Sequence, residues 1–238
     1  MTAVTEDSLP KPEGNQLIVA IDGPSGAGKS TLAKRLAKDL GFVYLDTGAM
    51  YRALALKVLR QAVDLTDDTR LDRLVDETEI DLSHRSGNLQ VLLDGEDVSG
   101  QIRTPEVSQM ASKVSALKKV RERMLVLQRA MGQRGSVVAE GRDIGTVIFP
   151  HAEVKIFLDA SPQERARRRC QELKSAGRQV DLAETLREIE ERDKRDSERD
   201  IAPLCKAEDA LLVDSSSADA EQVAAWVLNQ IKKLEKNK

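Results

Sequence analysis

The sequence predicts an α/β domain in which a five-stranded parallel sheet is flanked by helices, with a small β-rich insertion and a charged helical segment. Three observations carry this reading. Short apolar runs alternate with stretches of helical periodicity, the pattern of strands joined by crossover helices. A glycine-rich turn separates the first apolar run from the first periodic stretch. Between residues 63 and 103 the pattern changes to short segments divided by turn residues.

Leu17 to Asp22 is apolar and too short for a helix, so it reads as a buried strand. The periodic stretch Lys29 to Leu40 places Leu32, Ala33, Leu36, Ala37 and Leu40 on one face, and Gly41 ends it. Phe42 to Asp46 reads as the second strand and Ala49 to Gln61 as the second helix. Within 63–103, Glu79 to Ser83 and Leu89 to Asp94 read as strands around the turn Arg85-Ser86-Gly87-Asn88, and Asp94-Gly95 marks another turn. Thr104-Pro105 restarts helix with a cap and a first-turn proline, and two helices run to about Arg134. Strands are expected at Ser136 to Ala139, Val154 to Asp159 and Ala210 to Asp214. Ser161-Pro162-Gln163-Glu164 has the form of a capping box and opens a helix ending near Gly177. Asp181 to Glu184 opens a highly charged helix reaching about Asp200. The last helix, about Asp219 to Glu235, carries Trp226, read as a core residue.

The 238 residues suit one domain, and 40% apolar residues are enough for a buried core. The formal net charge is −3, so there is no global basic field of the kind that attracts nucleic acid. Some of the 37 Lys and Arg residues nevertheless cluster, which points to a small anion rather than a polymer. Cys170 and Cys205 form no CxxC pair, so neither a disulfide framework nor a zinc site is expected. His84 and His151 are isolated and read as surface imidazoles. No apolar run reaches membrane-spanning length. Residues 1–16 are polar, lack the apolar centre of a leader peptide and read as a disordered tail. A reducing cytoplasm is the expected location.

Gly23-Pro24-Ser25-Gly26-Ala27-Gly28-Lys29-Ser30 fits GxxxxGK[ST], with a strand before it and a helix after it. Glycines let backbone N–H groups turn toward phosphate oxygens. Lys29 supplies a point charge for the β and γ phosphates, the Ser30 hydroxyl can ligate Mg²⁺, and Thr31 completes the candidate ATP-binding set. The helix start adds its dipole. The motif alone says only that a nucleoside triphosphate binds. No N/T-K-x-D guanine-reading motif follows, and the chain is short for a motor domain, so a small kinase is favoured.

Two further segments stand at the carboxyl ends of strands, where ligands bind in such sheets. Asp46-Thr47-Gly48-Ala49-Met50-Tyr51-Arg52 follows the second strand, and Glu140-Gly141-Arg142-Asp143-Ile144-Gly145-Thr146 follows the third. Each brings an arginine, whose planar fork matches phosphate oxygens. Taken singly, Arg52 also reads as a solvated helix residue, and Arg142 as the ion-pair partner of Asp143. Arg192, Asp196 and Arg199 stand at i, i+4 and i+7 and share a helix face. That run reads either as a solvent-exposed, salt-bridged helix or as a lid whose arginines close over two nucleotides.

The segments IDGPSGAGKSTLAKRLA, LDTGAMYRALAL, DGEDVSGQIRTPEVSQMASKVSA, VVAEGRDIGTVIFP, VKIFLDAS and REIEERDKRDSERDIAPL together resemble bacterial cytidylate kinases, members of the nucleoside monophosphate kinase family. The resemblance runs from about Leu17 to the final helix. It implies a P-loop kinase fold with its core at 17–62 and 104–238, a lid at about 161–200, and an insertion at 63–103 belonging to the monophosphate-binding region. It implies ATP with Mg²⁺, and CMP or dCMP as acceptor. Ser112, Arg121 and Asp143 would read cytosine, Arg52 and Arg142 would hold the acceptor phosphate, and Thr47 would join the CMP site. In the lid, Arg192 and Arg199 would face phosphates and Asp196 the acceptor ribose. Lys29, Arg142, Arg192 and Arg199 would carry the chemistry, and the enzyme would be a monomer. Thr47 stands where some members have Ser, and Glu140 where some have Asp.

Overall fold

The computed structural model describes residues 16–85, 88–175, 177–216 and 220–236. Five strands form a parallel sheet in the order β2-β6-β1-β7-β8. They are β1 (Ile18–Asp22), β2 (Val43–Asp46), β6 (Val137–Gly141), β7 (Val154–Asp159) and β8 (Leu211–Asp214). In the centre, Ile18 of β1 pairs with Val137 of β6, and Val19 pairs with Val154 of β7. Side chains of a strand point alternately to the two faces, and here both faces are covered. Val19 and Ile21 pack with Leu32 and Leu36 of α1 (Lys29–Leu40) and with Val227 and Ile231 of α8 (Ala220–Lys236). Ala20 and Ala139 face the other way, toward Met50 and Leu54 of α2 (Thr47–Arg60) and Met124 of α5 (Lys118–Gly132). Burial on both sides explains why the strands read as continuous apolar runs.

The helix ends follow from local chemistry. Gly41 adopts φ 70° and returns its N–H to the Ala37 carbonyl, which closes α1. The Asp46 carboxylate accepts the Ala49 N–H at 2.8 Å, so α2 starts at Thr47, two residues before the position expected from periodicity. Thr104 caps α4 (Pro105–Val114) by accepting the Val107 N–H. Asp181 caps α7 (Leu182–Glu198) through the Glu184 N–H. At α6 (Pro162–Ser175) only half of the expected box forms. Ser161 Oγ accepts the Glu164 N–H, whereas the Glu164 carboxylate turns to Arg167 and Arg168 and the Ser161 N–H donates to Ser216.

The segment 63–103 differs from the expectation. It holds a three-stranded antiparallel sheet of β3 (Ile80–Arg85), β4 (Asn88–Leu93) and β5 (Glu96–Asp97), and also a helix, α3 (Asp68–Asp76). Asp67 caps α3, and Leu71, Leu74 and Val75 form its buried face. Ile80, Leu82, Val91 and Leu93 share one apolar cluster with Met50, Leu54 and Val58, so this small sheet extends the core of the main sheet. Trp226 is also corrected. It is 43% exposed, because Val223, Ala224, Val227 and Ile231 form the buried face of α8 and residue 226 lies off it. The tail predicted at 1–16 lies, apart from Gln16, outside the described residues, as do Ser86, Gly87 and the His84 side chain. His151 is exposed, Cys170 is buried and Cys205 is exposed. Among the described residues no helix is long and apolar enough to cross a membrane.

Candidate active site

The phosphate turn and the segments carrying Arg52, Arg142 and Asp143 follow β1, β2 and β6, while helices α5 and α7 bring Arg121 to Asp143 and Asp196 to Arg142. The turn after β1 needs its glycines. Gly23 has φ 145°, and a side chain there would meet the Leu158 carbonyl oxygen at 1.9 Å. Gly26 and Gly28 also have positive φ, at 80° and 94°. The first turn of α1 contains no acidic residue and no side-chain cap, so its N–H groups face the turn unneutralised. Lys29 is buried, and its Nζ donates to the Pro24 carbonyl at 2.6 Å. Burial holds its pKa well below that of an ordinary lysine, and the positive charges of Arg142 and Arg192 push it the same way. Ser30 is exposed at the mouth of the turn, in hydrogen-bond contact with Glu140 and Tyr44.

Arg142 and Arg192 stand near this cation, and Arg52 and Arg169 act in turn on Arg192. Arg52 pairs with Asp46 at 3.0 Å. Arg142 donates to Asp196 at 2.9 Å, and Arg192 lies 4.0 Å from the same carboxylate. Arg169 adds its field from α6. Burial lowers the Arg192 pKa to about 10, helped by the charges of Arg142, Arg52 and Arg169. The buried Nε atoms of Arg52 and Arg192 have no hydrogen-bond partner among the described residues. Burial alone would raise Asp196, but Arg142 and Arg192 outweigh it and hold the carboxyl below its usual range. Asp46 and Asp196 take only part of the donor capacity of Arg52, Arg142 and Arg192, and the oxygens of a polyanion placed among them match the rest.

Beyond the arginines lies a second buried charged cluster. Arg121 and Asp143 form a buried, hydrogen-bonded ion pair, with side chains 7% and 5% exposed. Arg199 approaches Asp143 at 3.7 Å, and one of its nitrogens has no hydrogen-bond partner among the described residues. Burial raises the Asp143 pKa, against the pull of Arg121 and Arg199. Ser112 on α4 is buried, and its oxygen accepts from Arg195 at 3.3 Å. Thr47 Oγ1 donates to the Glu140 carbonyl at 2.7 Å, tying β2 to β6. Arg142 therefore pairs with Asp196 rather than with its neighbour Asp143.

One position departs from its predicted geometry. Arg199 is not on α7 with Arg192 and Asp196. The helix ends at Glu198 and Arg199 is extended. The Asp196 carbonyl accepts the Leu204 N–H at 2.7 Å, and Arg199 Nε donates to the Ala202 carbonyl at 2.6 Å, so the chain turns back there. The turn still carries Arg199 to Asp143.

Several contributors escaped the sequence reading. Asp22, at the end of β1, accepts the N–H of Ile144 at 2.7 Å and of Gly145 at 2.8 Å. These are the first residues of a single wide turn, Ile144–Ile148. Asp143 holds the capping position of that turn but makes no side-chain cap, because its carboxylate serves Arg121. Asp22 caps the turn in its place. Burial pushes Asp22 up to about 6, against the two N–H bonds. Arg165 of α6 is 3% exposed, donates to the Ser25 carbonyl at 3.2 Å and pairs with Asp193, so it links the phosphate turn to α7. Ser215 donates to the Ala27 carbonyl at 2.8 Å. None of these pairings has a sequence signal, because each spans more than a hundred residues or joins residues whose spacing fits no motif.

The family model for cytidylate kinase matches residues 19–233. The chain belongs to the cytidylate kinase family. Similar members include the cytidylate kinase of Pelotomaculum thermopropionicum, 53% identical over 214 residues, covering 90% of this chain and 95% of that one. Another, from Syntrophotalea carbinolica, is 53% identical over 216 residues, with 91% and 92% covered. Among solved structures, an uncharacterized protein from Eubacterium ventriosum shares the fold, with a TM-score of 0.51 at 15% identity, covering 91% of this chain and 99% of that one. The family assignment is consistent with a site that has two anion-holding parts. One is the phosphate turn with Lys29, and the other is the arginine group between it and the Arg121–Asp143 corner.

Magnesium fits this cytidylate kinase family site as a shared ion. Mg²⁺ takes oxygen ligands, often one or two from protein and the rest from phosphate and water. The Ser30 hydroxyl and the Glu140 carboxylate offer such oxygens side by side. Among the described residues no three His, Cys, Asp or Glu side chains are grouped to hold a metal.

Proposed function

We propose that the protein transfers the γ-phosphoryl group of ATP to CMP or dCMP, giving ADP and the corresponding diphosphate. The observation that carries this is the convergence of Lys29, Arg52, Arg142 and Arg192 between the phosphate turn and the Arg121–Asp143 pair. The turn residues Gly23 to Thr31 hold ATP. Arg52 and Arg142 hold the acceptor phosphate, with Thr47 beside them. Ser112, Arg121 and Asp143 read the base, and Asp196 takes the ribose. A phosphate monoester has a second pKa near 6 and is already ionised at neutral pH, so its oxygen attacks without a strong general base. The barrier is repulsion between two polyanions and the need for alignment. Cations and positioning lower it. Lys29, Arg192 and Arg199 spread the charge on the moving group, and the helical lid at 161–200 excludes the water that would otherwise hydrolyse ATP. Magnesium held by Ser30, with Glu140 beside it, supplies further positive charge at the phosphates when bound.

Cytosine specificity follows from donors and acceptors. Cytosine offers an amino group that the Asp143 carboxylate accepts. Uracil presents an oxygen there, which faces the carboxylate unfavourably. The reading takes the enzyme as a cytoplasmic monomer with Mg²⁺ as cofactor, acting on free nucleotides and on neither nucleic acid nor membrane. The test is a coupled ADP-release assay with ATP, Mg²⁺ and a panel of CMP, dCMP, UMP, AMP and shikimate. CMP and dCMP are expected to lead. Absence of turnover with both, or a clear preference for another acceptor, overturns the proposal.

A further inference from the structure

A serine hydroxyl has one proton to donate and two lone pairs to fill. At Ser112 one lone pair is taken by Arg195 Nε of α7, at 3.3 Å. Guanidinium offers no lone pair in return, so the Ser112 oxygen is the acceptor and its proton is left for another partner. A serine inside a helix otherwise turns that proton back to the carbonyl four residues earlier, which here belongs to Ser108. Arg195 itself is half exposed, and its other ionic contact is Glu191 at 3.9 Å, one turn back. Among the described residues it neutralises no buried carboxylate. Among the described residues no other side-chain hydrogen bond joins α7 to α4.

We propose that Arg195 is a positioning residue for the acceptor base. It turns the Ser112 hydroxyl toward the ring acceptors of a pyrimidine, and it does so only while α7 lies against α4. This rests on Ser112 reading the base and adds what Ser112 cannot supply alone, a link between base recognition and the helix that carries the phosphate-facing Arg192 and Asp196. Residues 192, 195 and 196 stand three and four apart or adjacent on α7, so one rigid element serves the phosphate and the base together.

The test is a double-mutant cycle with Arg195→Ala, Ser112→Ala and the double variant. It reads CMP affinity by calorimetry, and KM for CMP and for ATP by steady-state kinetics. Each single variant is expected to weaken CMP about 3- to 10-fold, the range of one hydrogen bond. The double variant is expected to be no weaker than Ser112→Ala, because Arg195 acts through that hydroxyl. KM for ATP and the melting temperature stay near wild type. Multiplying effects in the double variant overturn the proposal, as does wild-type CMP affinity in Arg195→Ala alongside a weakened Ser112→Ala. If Ser112→Ala alone binds CMP like wild type, the base-reading assignment fails and takes the proposal with it.

Discussion

Replacing Asp143 by Asn removes one charge and changes one acceptor into a donor, with little change in volume. Two guanidiniums converge on this carboxylate, those of Arg121 and Arg199, with side chains 7% and 6% exposed. Stability therefore falls. Breaking a buried ion pair costs about 3–5 kcal/mol, and the Asn oxygen still accepts from Arg121, which favours the lower end. At roughly 2–4 °C per kcal/mol for a chain of this size, the melting temperature drops by about 6–12 °C. Specificity falls as well. CMP loses a charge-assisted hydrogen bond from its amino group, about 1.5–3 kcal/mol, which is roughly a 10- to 150-fold loss in kcat/KM. UMP gains, because the Asn amide can donate to the uracil oxygen. The assay is ADP release at saturating ATP with CMP or UMP varied, alongside calorimetric unfolding. A folded variant that keeps the wild-type ratio of CMP to UMP would remove Asp143 from base recognition.

Arg192→Ala is expected to lower kcat about 100-fold or more while the melting temperature stays within a few degrees, because burial and neighbouring cations already disfavour the Arg192 charge in the folded state. Near-normal turnover in that variant would exclude Arg192 from the chemistry. Asp22, raised to about 6, destabilises the fold while ionised, and that cost disappears as pH falls from about 6 toward its ordinary value near 4. Wild type should therefore gain up to ~3 kcal/mol relative to Asp22→Asn over that window, measured by urea unfolding at several pH values, and parallel pH profiles would contradict the assignment. Gly132→Ala places a methyl group 2.5 Å from the Phe149 ring, so it should cost about 1–3 kcal/mol of stability. Recovery of most of that loss on adding Phe149→Leu is the check.

What could be read from the sequence was local. The bounds of α1 and β7 follow from an apolar period and flanking punctuation, and the structure keeps them. The phosphate turn, the Asp181 cap and the Thr104 cap are likewise written in a few consecutive residues. Helix α3 was hidden because its three buried residues sit among five charges and neighbours of turn type, so its period was short and diluted. The placement of Arg199 was missed because i+7 spacing assumes a continuing helix, whereas the backbone bond from Leu204 to Asp196 ends it. The partners at the site were the least legible. Nothing in EGRD tells that Arg142 turns to Asp196 and leaves Asp143 to Arg121, since both choices satisfy the same charges. The fold decides between them, because α5 sets Arg121 against Asp143 and α7 sets Asp196 against Arg142.

The carboxylate at the end of β1 stands under both halves of the cleft. Its own strand runs directly into the lysine-bearing turn, and its two oxygens clamp the backbone next to the Arg121–Asp143 pair. Donor and acceptor platforms thus share a single abutment. The spacing between the lysine-bearing turn and the Arg121–Asp143 pair is thereby set by the central strand of the sheet.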